Sequence, residues 1–169
     1  MTASNGEREA ARLEAAVKTF VERLQPLPTD LARRQPKDGE WSVGQLAAHC
    51  SEIYPFWAKQ ITALRQNPGK PFGRVATDAD RIQYVEDHKN DALDTLVAAI
   101  QRGATEAAAA LRSYSDDEWR TVTGIHSARG EMDMDFIANL FLAGHAEEHV
   151  KQLTETLNKI GGLPGLPGL

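Results

Sequence analysis

Apolar residues recur at intervals of three and four along long segments of this chain, and this spacing constrains the fold more than any other feature. In the first segment, about residues 4 to 24, they are Leu13, Val17, Phe20 and Leu24. Such spacing places side chains on one side of an α-helix, so each segment predicts an amphipathic helix with one buried stripe. Four such segments predict an all-α protein, a four-helix bundle.

The second helix has the clearest start. Ser42 and Gln45 have the spacing of a capping box, in which each side chain satisfies a free amide of the first turn. The helix is predicted to end at Asn67. Pro55 lies inside it and removes one backbone hydrogen bond, so we expect a kink near Ser51.

A third helix is predicted to run unbroken over residues 78–114, with a bend at Gly103, and to lead into a long crossover. A second capping box, Ser115 to Glu118, predicts a single turn that buries Trp119. Residues 120–130 are the segment with hairpin character. The fold class is therefore a four-helix bundle with a long crossover and a short hairpin-like segment before the last helix.

The last helix is predicted from Asp133 to Ile160, because the glycines that begin at Gly161 supply a stop signal. The bundle domain is accordingly expected to span residues 1–160. Glycine, leucine and proline fill residues 161–169, which we interpret as a flexible tail.

Charge and composition argue against several classes of partner. The net charge is −5 and no helix carries a basic stripe, which argues against nucleic acid as the main partner. No apolar run approaches the roughly 20 residues that a membrane-spanning helix needs. The polar start of the chain and its single cysteine, Cys50, indicate a cytoplasmic protein.

Three of the five histidines lie on predicted inward helix faces. His145 and His149 are four residues apart, so they project from one side of the last helix. His49 falls between Leu46 and Ile53, within the inward stripe of the second helix. Buried imidazoles need partners. A divalent metal ion could satisfy all three histidines, and three neutral ligands would leave it an open position. Hydrogen bonds from the histidines to other buried polar groups are the alternative.

The remaining candidates are interpreted as structural. His88 lies in a charged stretch that should face solvent, and the direction of His126 in the hairpin is left open. Cys50 should be a buried core thiol. Tyr54, Trp57 and Trp119 could line a pocket, although ordinary core packing is favoured for them.

The order and spacing of several residues resemble those of the DinB superfamily. They are Trp41-Ser42 at the start of the second helix, His49 eight positions after the tryptophan, and the closing His145-x-x-x-His149-x-x-Gln152. The resemblance covers residues 8–160. It implies a four-helix bundle, often a homodimer, with three histidine ligands for nickel or zinc. The resemblance implies that these three ligands are His49, His145 and His149 in this sequence.

The resemblance also implies candidate functions. Characterised relatives include transferases and isomerases that depend on bacillithiol, mycothiol or glutathione. We therefore expect a metal-dependent thiol transferase or a related enzyme such as a hydrolase, acting on a small molecule. Glu148 or Glu52, each about one turn from a histidine, could take a proton or orient an imidazole. Gln152 could hydrogen-bond a histidine. The alternatives are a non-catalytic metal-binding or stress-linked binding protein, and a scaffold whose histidines bind nothing.

Overall fold

Helices dominate residues 3–37 and 39–161, the part of the chain that the computed structural model describes. The elements in chain order are α1 (Asn5–Leu24), α2 (Thr29–Arg33), α3 (Val43–Gln66), β1 (Pro71–Phe72), α4 (Ala79–His88), α5 (Leu93–Arg112), α6 (Asp116–Thr121), β2 (Thr123–His126), β3 (Gly130–Asp133), α7 (Met134–Phe141) and α8 (Ala143–Lys159).

The core lies between α1, α3, α5 and α8. Helix α5 packs on both α3 and α1, and α8 packs on α1. One fully buried residue of each helix illustrates the arrangement: Leu13, Leu46, Ile100 and Leu153. Burying such a side chain stabilises the fold by about 1.5–3 kcal/mol. The all-α, four-helix-bundle prediction is confirmed.

Both predicted capping boxes are present. The Ser42 hydroxyl accepts from the Gln45 backbone N–H, and the Gln45 side chain accepts from the Ser42 N–H. Ser115 and Glu118 repeat the arrangement at the start of α6. That short helix buries Trp119, as predicted.

Gly103 lets α5 approach α3 closely. Helix α3 continues from Val43 to Gln66 with Pro55 inside it. A Cβ atom on Gly103 would lie 2.5 Å from the Pro55 Cδ, which is closer than real Cβ atoms come to their neighbours. The predicted kink in α3 and bend in α5 stay predictions.

The prediction of one unbroken helix over residues 78–114 is wrong. Helix α4 ends at His88, and α5 begins at Leu93. The Asp91 N–H donates to the His88 carbonyl and the Asp91 carboxylate contacts the His88 ring, so a turn replaces the helix. Asx residues favour such turns. The turn brings the Lys89 carbonyl against Gly44 of α3, where a Cβ atom would lie 2.2 Å away.

The last predicted helix is also interrupted. Leu142 has φ −127° and ψ −91°, outside the helical region, so α7 ends at Phe141 and α8 begins at Ala143. Gly144 follows at once, and a Cβ atom there would meet the Asn139 carbonyl oxygen at 2.4 Å. The backbones of α7 and α8 are thus too close at this point for a residue larger than glycine.

The predicted hairpin is present, and it belongs to a three-stranded sheet. Strands β2 and β3 pair antiparallel, with Gly124 opposite Met132. Strand β1 pairs parallel with β2, placing Phe72 opposite His126, and the sequence analysis missed it. A two-residue strand carries no alternation signal. The sheet fixes the segment after β1 against the hairpin.

The predicted domain boundary lies at the end of the described chain. Gly161 has a φ of 74°, the left-handed conformation of a helix stop. The predicted flexible tail otherwise falls on residues 162–169, outside the described residues. Within the described part, no helix combines the length and the apolar character needed to cross a membrane.

Candidate metal centre

Two helices bring three histidines together. His49 comes from α3, and His145 and His149 lie one turn apart on α8. The two Nε2 atoms of His145 and His149 are 2.9 Å apart. One nitrogen from each of the three rings lies within 4.8 Å of the other two, which makes the cluster suitable for holding a metal ion. We call these three residues the histidine triad.

Burial keeps the triad uncharged. His49 is 1% exposed and His149 is 6% exposed. Burial, followed by the nearby His149, lowers the pKa of His49 to about 2. The same causes lower the pKa of His145 to about 3. Burial also lowers the pKa of His149, partly offset by its bond to Gln152. All three imidazoles are neutral near pH 7, as coordination requires.

The triad fits a divalent transition metal. Two imidazole nitrogens on one tetrahedral ion at 2.0–2.1 Å lie about 3.4 Å apart, so small ring movements would bring three nitrogens to it. The Nδ1 of His49 is buried and has no hydrogen-bond partner among the described residues. An unpaired buried polar atom costs about 1–3 kcal/mol. A metal ion would give the His49 ring a partner that the described residues do not supply.

Gln152 and Glu148, both singled out from the sequence, lie in different surroundings. The Gln152 Oε1 lies 3.0 Å from the His149 Nδ1, which can donate to it and leave Nε2 free toward the triad. Glu148 points to solvent, 67% exposed, and pairs with Lys151. The structure therefore brings Gln152 to the triad and leaves Glu148 away from it.

Glu52, the other carboxylate considered, is engaged by an arginine. Both Glu52 oxygens accept from Arg74, and the pair is largely buried. The Arg74 guanidinium also lies 3.9 Å from the Phe56 ring centroid. Glu52 thus holds Arg74 in place in this structure.

Two cavities meet at the triad. The first, of about 320 Å³, is called the aromatic cleft; it is lined by His49, Ile53, Trp57, Arg74, Val75, Ala76, Arg81, His126, Ala128, Arg129, Leu140, Phe141 and His145. The second, of about 510 Å³, is called the polar cleft; it is lined by Gly39, Glu40, Trp41, His49, Arg81, His145, His149, Gln152, Glu155, Thr156 and Lys159. His49, His145 and Arg81 border both.

Stacked rings form one wall of the aromatic cleft. Phe141 stacks on Trp57 with centroids 4.0 Å apart, and His126 stacks on Phe141 at 5.4 Å. The His126 Nε2 lies 3.1 Å from the Arg74 carbonyl, to which it donates, and Nδ1 accepts from the Ala128 N–H. Both nitrogens of His126 are satisfied, so it is a structural member of the wall.

The other residues singled out from the sequence lie in the core or outside the site. Tyr54 and Trp119 are core residues, whereas Trp57 is both a core residue and part of the cleft wall. Cys50 is fully buried, as predicted, and burial raises its pKa. His88 is partly exposed and contacts Asp91 in the turn after α4, as expected for a residue outside the site.

Two arginines that line the clefts, Arg74 and Arg81, were not predicted from the sequence. Arg74 follows β1 and Arg81 lies in the first turn of α4. Burial, followed by the charge of Arg74, lowers the pKa of Arg81. Neither residue belongs to a local motif, and a cluster formed by long-range folding leaves no spacing signal.

Fold and site together define a helical-bundle protein with a buried three-histidine centre able to hold a metal. Residues 12–153 match the sequence profile of the DinB superfamily. The chain belongs to the DinB superfamily. No curated protein sequence matches it.

Solved structures share the fold. YfiT from Bacillus subtilis, described as a probable metal-dependent hydrolase with an unusual four-helix bundle topology, is similar with a TM-score of 0.80 and 15% identity, over 96% of this chain and 92% of that one. A mycothiol-dependent maleylpyruvate isomerase is similar with a TM-score of 0.66 and 11% identity, over 96% of this chain. The match spans 65% of the isomerase. At these identities the likeness concerns the fold alone.

Proposed function

We propose that this protein is a divalent-metal-dependent enzyme that joins a low-molecular-weight thiol to a small electrophile. The observation that carries the proposal is the aromatic cleft, which reaches two members of the neutral triad, His49 and His145. A closed structural metal site would have no such access. The dependence of one structural neighbour on mycothiol supports the choice of a thiol.

The metal would be held by His49, His145 and His149, and zinc or nickel suits three imidazoles. Bound there, such an ion lowers the pKa of a thiol or a water molecule and so supplies a nucleophile near neutral pH.

The other roles in the proposed reaction belong to side chains of the protein. Gln152 orients the His149 ring through Nδ1. The apolar wall of the aromatic cleft excludes water from the reacting groups. Glu52 acts as a positioning residue, because its carboxylate fixes Arg74 at the cleft. Glu148, which faces solvent, has no part in this proposal.

Two further expectations belong to the proposal. We expect a homodimer, which light scattering on the purified protein would detect. We also expect a cytoplasmic location, since the single cysteine is a buried thiol and thiol cosubstrates belong to reducing compartments.

Thiol-transfer assays test the proposal. Protein loaded with zinc or nickel should accelerate attack by the sulfur of bacillithiol, mycothiol or glutathione on an epoxide or a haloalkane, after the uncatalysed background is subtracted. The new C–S bond replaces the C–O bond of the epoxide, whose oxygen takes up a proton, or the carbon–halogen bond of the haloalkane, which releases halide while the thiol proton goes to solvent. Single alanine replacements at His49, His145 or His149 should abolish the rate. The matched control is His88→Ala, because His88 lies outside the site.

The outcomes separate the alternatives. Metal-dependent hydrolysis without any thiol would favour a hydrolase, the activity suggested for YfiT. Metal binding without turnover for any thiol and electrophile would indicate the non-catalytic metal-binding or stress-linked binding protein.

A further inference from the structure

Arg81 stands between the two clefts. It borders both of them beside His49 and His145. Its Nη1 donates to the Ala76 carbonyl at 2.8 Å, and its guanidinium lies 5.2 Å from the Trp41 ring centroid. A guanidinium has five N–H donors, and within the described part of the chain this hydrogen bond uses one of them. Arg81 is thus held in position, and it has N–H donors without a partner among the described residues.

The charge of Arg81 is only partly compensated, because Glu52 and Asp78 attract it without forming an ion pair with it in the described part of the chain. Among the described residues, no acidic oxygen lies within ion-pairing distance of its guanidinium, whereas Arg74 pairs with Glu52 and approaches Asp78. Arg81 is also only partly exposed, so water compensates its charge incompletely. An anion from outside the chain would supply the missing partner.

The aromatic cleft as a whole is electropositive. Three arginines line it and no acidic residue does, while Glu52 and Asp78, which are not part of the lining, offset part of the charge of Arg74 and Arg81. With the exposed Arg129, three arginines face two nearby carboxylates, although the protein carries a net charge of −5. A local positive cleft in an acidic protein attracts small anions.

Part of the cleft lining is apolar. Ile53, Trp57, Leu140 and Phe141 contribute it. A cavity of about 320 Å³ lies at the small end of the range for ligand sites, so it suits a compact molecule. With its anionic group at Arg81, the rest of such a molecule could contact these apolar side chains in the same cavity.

We propose that Arg81 binds the carboxylate of a small substrate whose apolar body lies in the aromatic cleft. The planar guanidinium matches a carboxylate through two parallel N–H donors. The inference rests on the proposed function in one respect only, that this cleft is the substrate site. It makes Arg81 the residue that selects carboxylates over neutral molecules of the same shape.

Binding to the metal-free protein tests this inference apart from catalysis. We would use isothermal titration calorimetry on chelator-treated protein, with 3-phenylpropionate as the carboxylate and 3-phenylpropionamide as its neutral counterpart. Without metal, the ion itself cannot hold the carboxylate. The wild-type protein should bind the carboxylate at least tenfold more tightly than the amide.

Arg81→Gln should weaken carboxylate binding by about ten- to a hundredfold, the range for losing a hydrogen bond to a charged group. It should leave amide binding unchanged. If Arg81 only held the loop that contains Ala76 in place, Arg81→Gln would weaken the binding of both ligands equally. Arg102→Gln is the matched control, since Arg102 is an exposed arginine of α5 that borders neither cleft. Thermal unfolding of both variants verifies that they fold.

Several results would overturn the inference. They are equal affinity for acid and amide, unchanged carboxylate binding in Arg81→Gln, no saturable binding of the carboxylate, or tighter binding of inorganic phosphate. A negative result in this binding experiment would not contradict the proposed metal-dependent reaction. Conversely, carboxylate binding through Arg81 without metal-dependent turnover would refute the enzymatic proposal alone.

Discussion

The Nδ1 atom of His149 lies 3.0 Å from the Oε1 atom of Gln152, one turn further along α8. With the amide oxygen turned toward the ring, Nδ1 carries the proton and donates it, because a carbonyl oxygen can only accept. The free electron pair of Nε2 therefore faces the Nε2 of His145, 2.9 Å away. One glutamine thus prepares a histidine for coordination before any ion arrives.

Replacing Gln152 should weaken metal binding without unfolding the protein. Loss of such an orienting partner costs about ten- to a hundredfold in metal affinity. Competition with a coloured chelator would measure the change in Gln152→Ala. Glu148→Gln is the control, because Glu148 faces solvent on the same helix and should leave the affinity unchanged. Equal affinities in Gln152→Ala and the wild type would contradict the orienting role.

Metal-free protein should lose stability as the pH falls from about 6.5 toward 3. The triad histidines have pKa values below the ordinary value in the folded state, about 2 for His49 and about 3 for His145. The unfolded chain therefore binds more protons than the folded one within this window, and the free energy of unfolding rises with pH. Each such histidine contributes up to about 1.4 kcal/mol per pH unit.

Urea unfolding between pH 6.5 and 5 would measure this slope before the carboxylates protonate. The triple variant His49→Asn, His145→Asn, His149→Asn should show a flatter dependence than the wild type. A triple variant as acid-sensitive as the wild type would place the effect elsewhere in the chain.

Gly103→Ala should destabilise the bundle, although alanine is the better helix former. The new Cβ would lie 2.5 Å from the Pro55 Cδ, which is bonded to the backbone nitrogen and cannot swing aside. Such overpacking costs about 1–3 kcal/mol. Thermal or urea unfolding measures the change. In a Pro55→Ala background the clash is absent, so the same replacement should cost less there; additive effects would exclude this contact as the cause.

The helices and the triad could be predicted because their signals are local. Apolar spacing and two capping boxes mark the helices. The i, i+4 spacing of His145 and His149 places them on one face whatever the rest of the chain does. His49 could be added because it shares the inward stripe of its own helix.

Features that depend on distant contacts could not be predicted. The break between α4 and α5 occurs where the Lys89 carbonyl meets Gly44, and the periodicity on either side continues as if the helix were whole. Strand β1 exists only because β2 pairs with it. Arg81 lines the same cavities as His49 and His145 because the chain between β1 and α4 folds back toward them. No spacing in the sequence predicts that path.

The central claim, that His49, His145 and His149 hold one divalent metal ion, is tested most directly by elemental analysis of protein purified without a histidine tag. We expect near one zinc or nickel ion per chain in the wild type and in His88→Ala, and severe loss from each single alanine variant at the triad. Wild-type protein that takes up no stoichiometric metal when zinc and nickel are supplied, or a triple variant that binds metal as tightly as the wild type, would contradict the account.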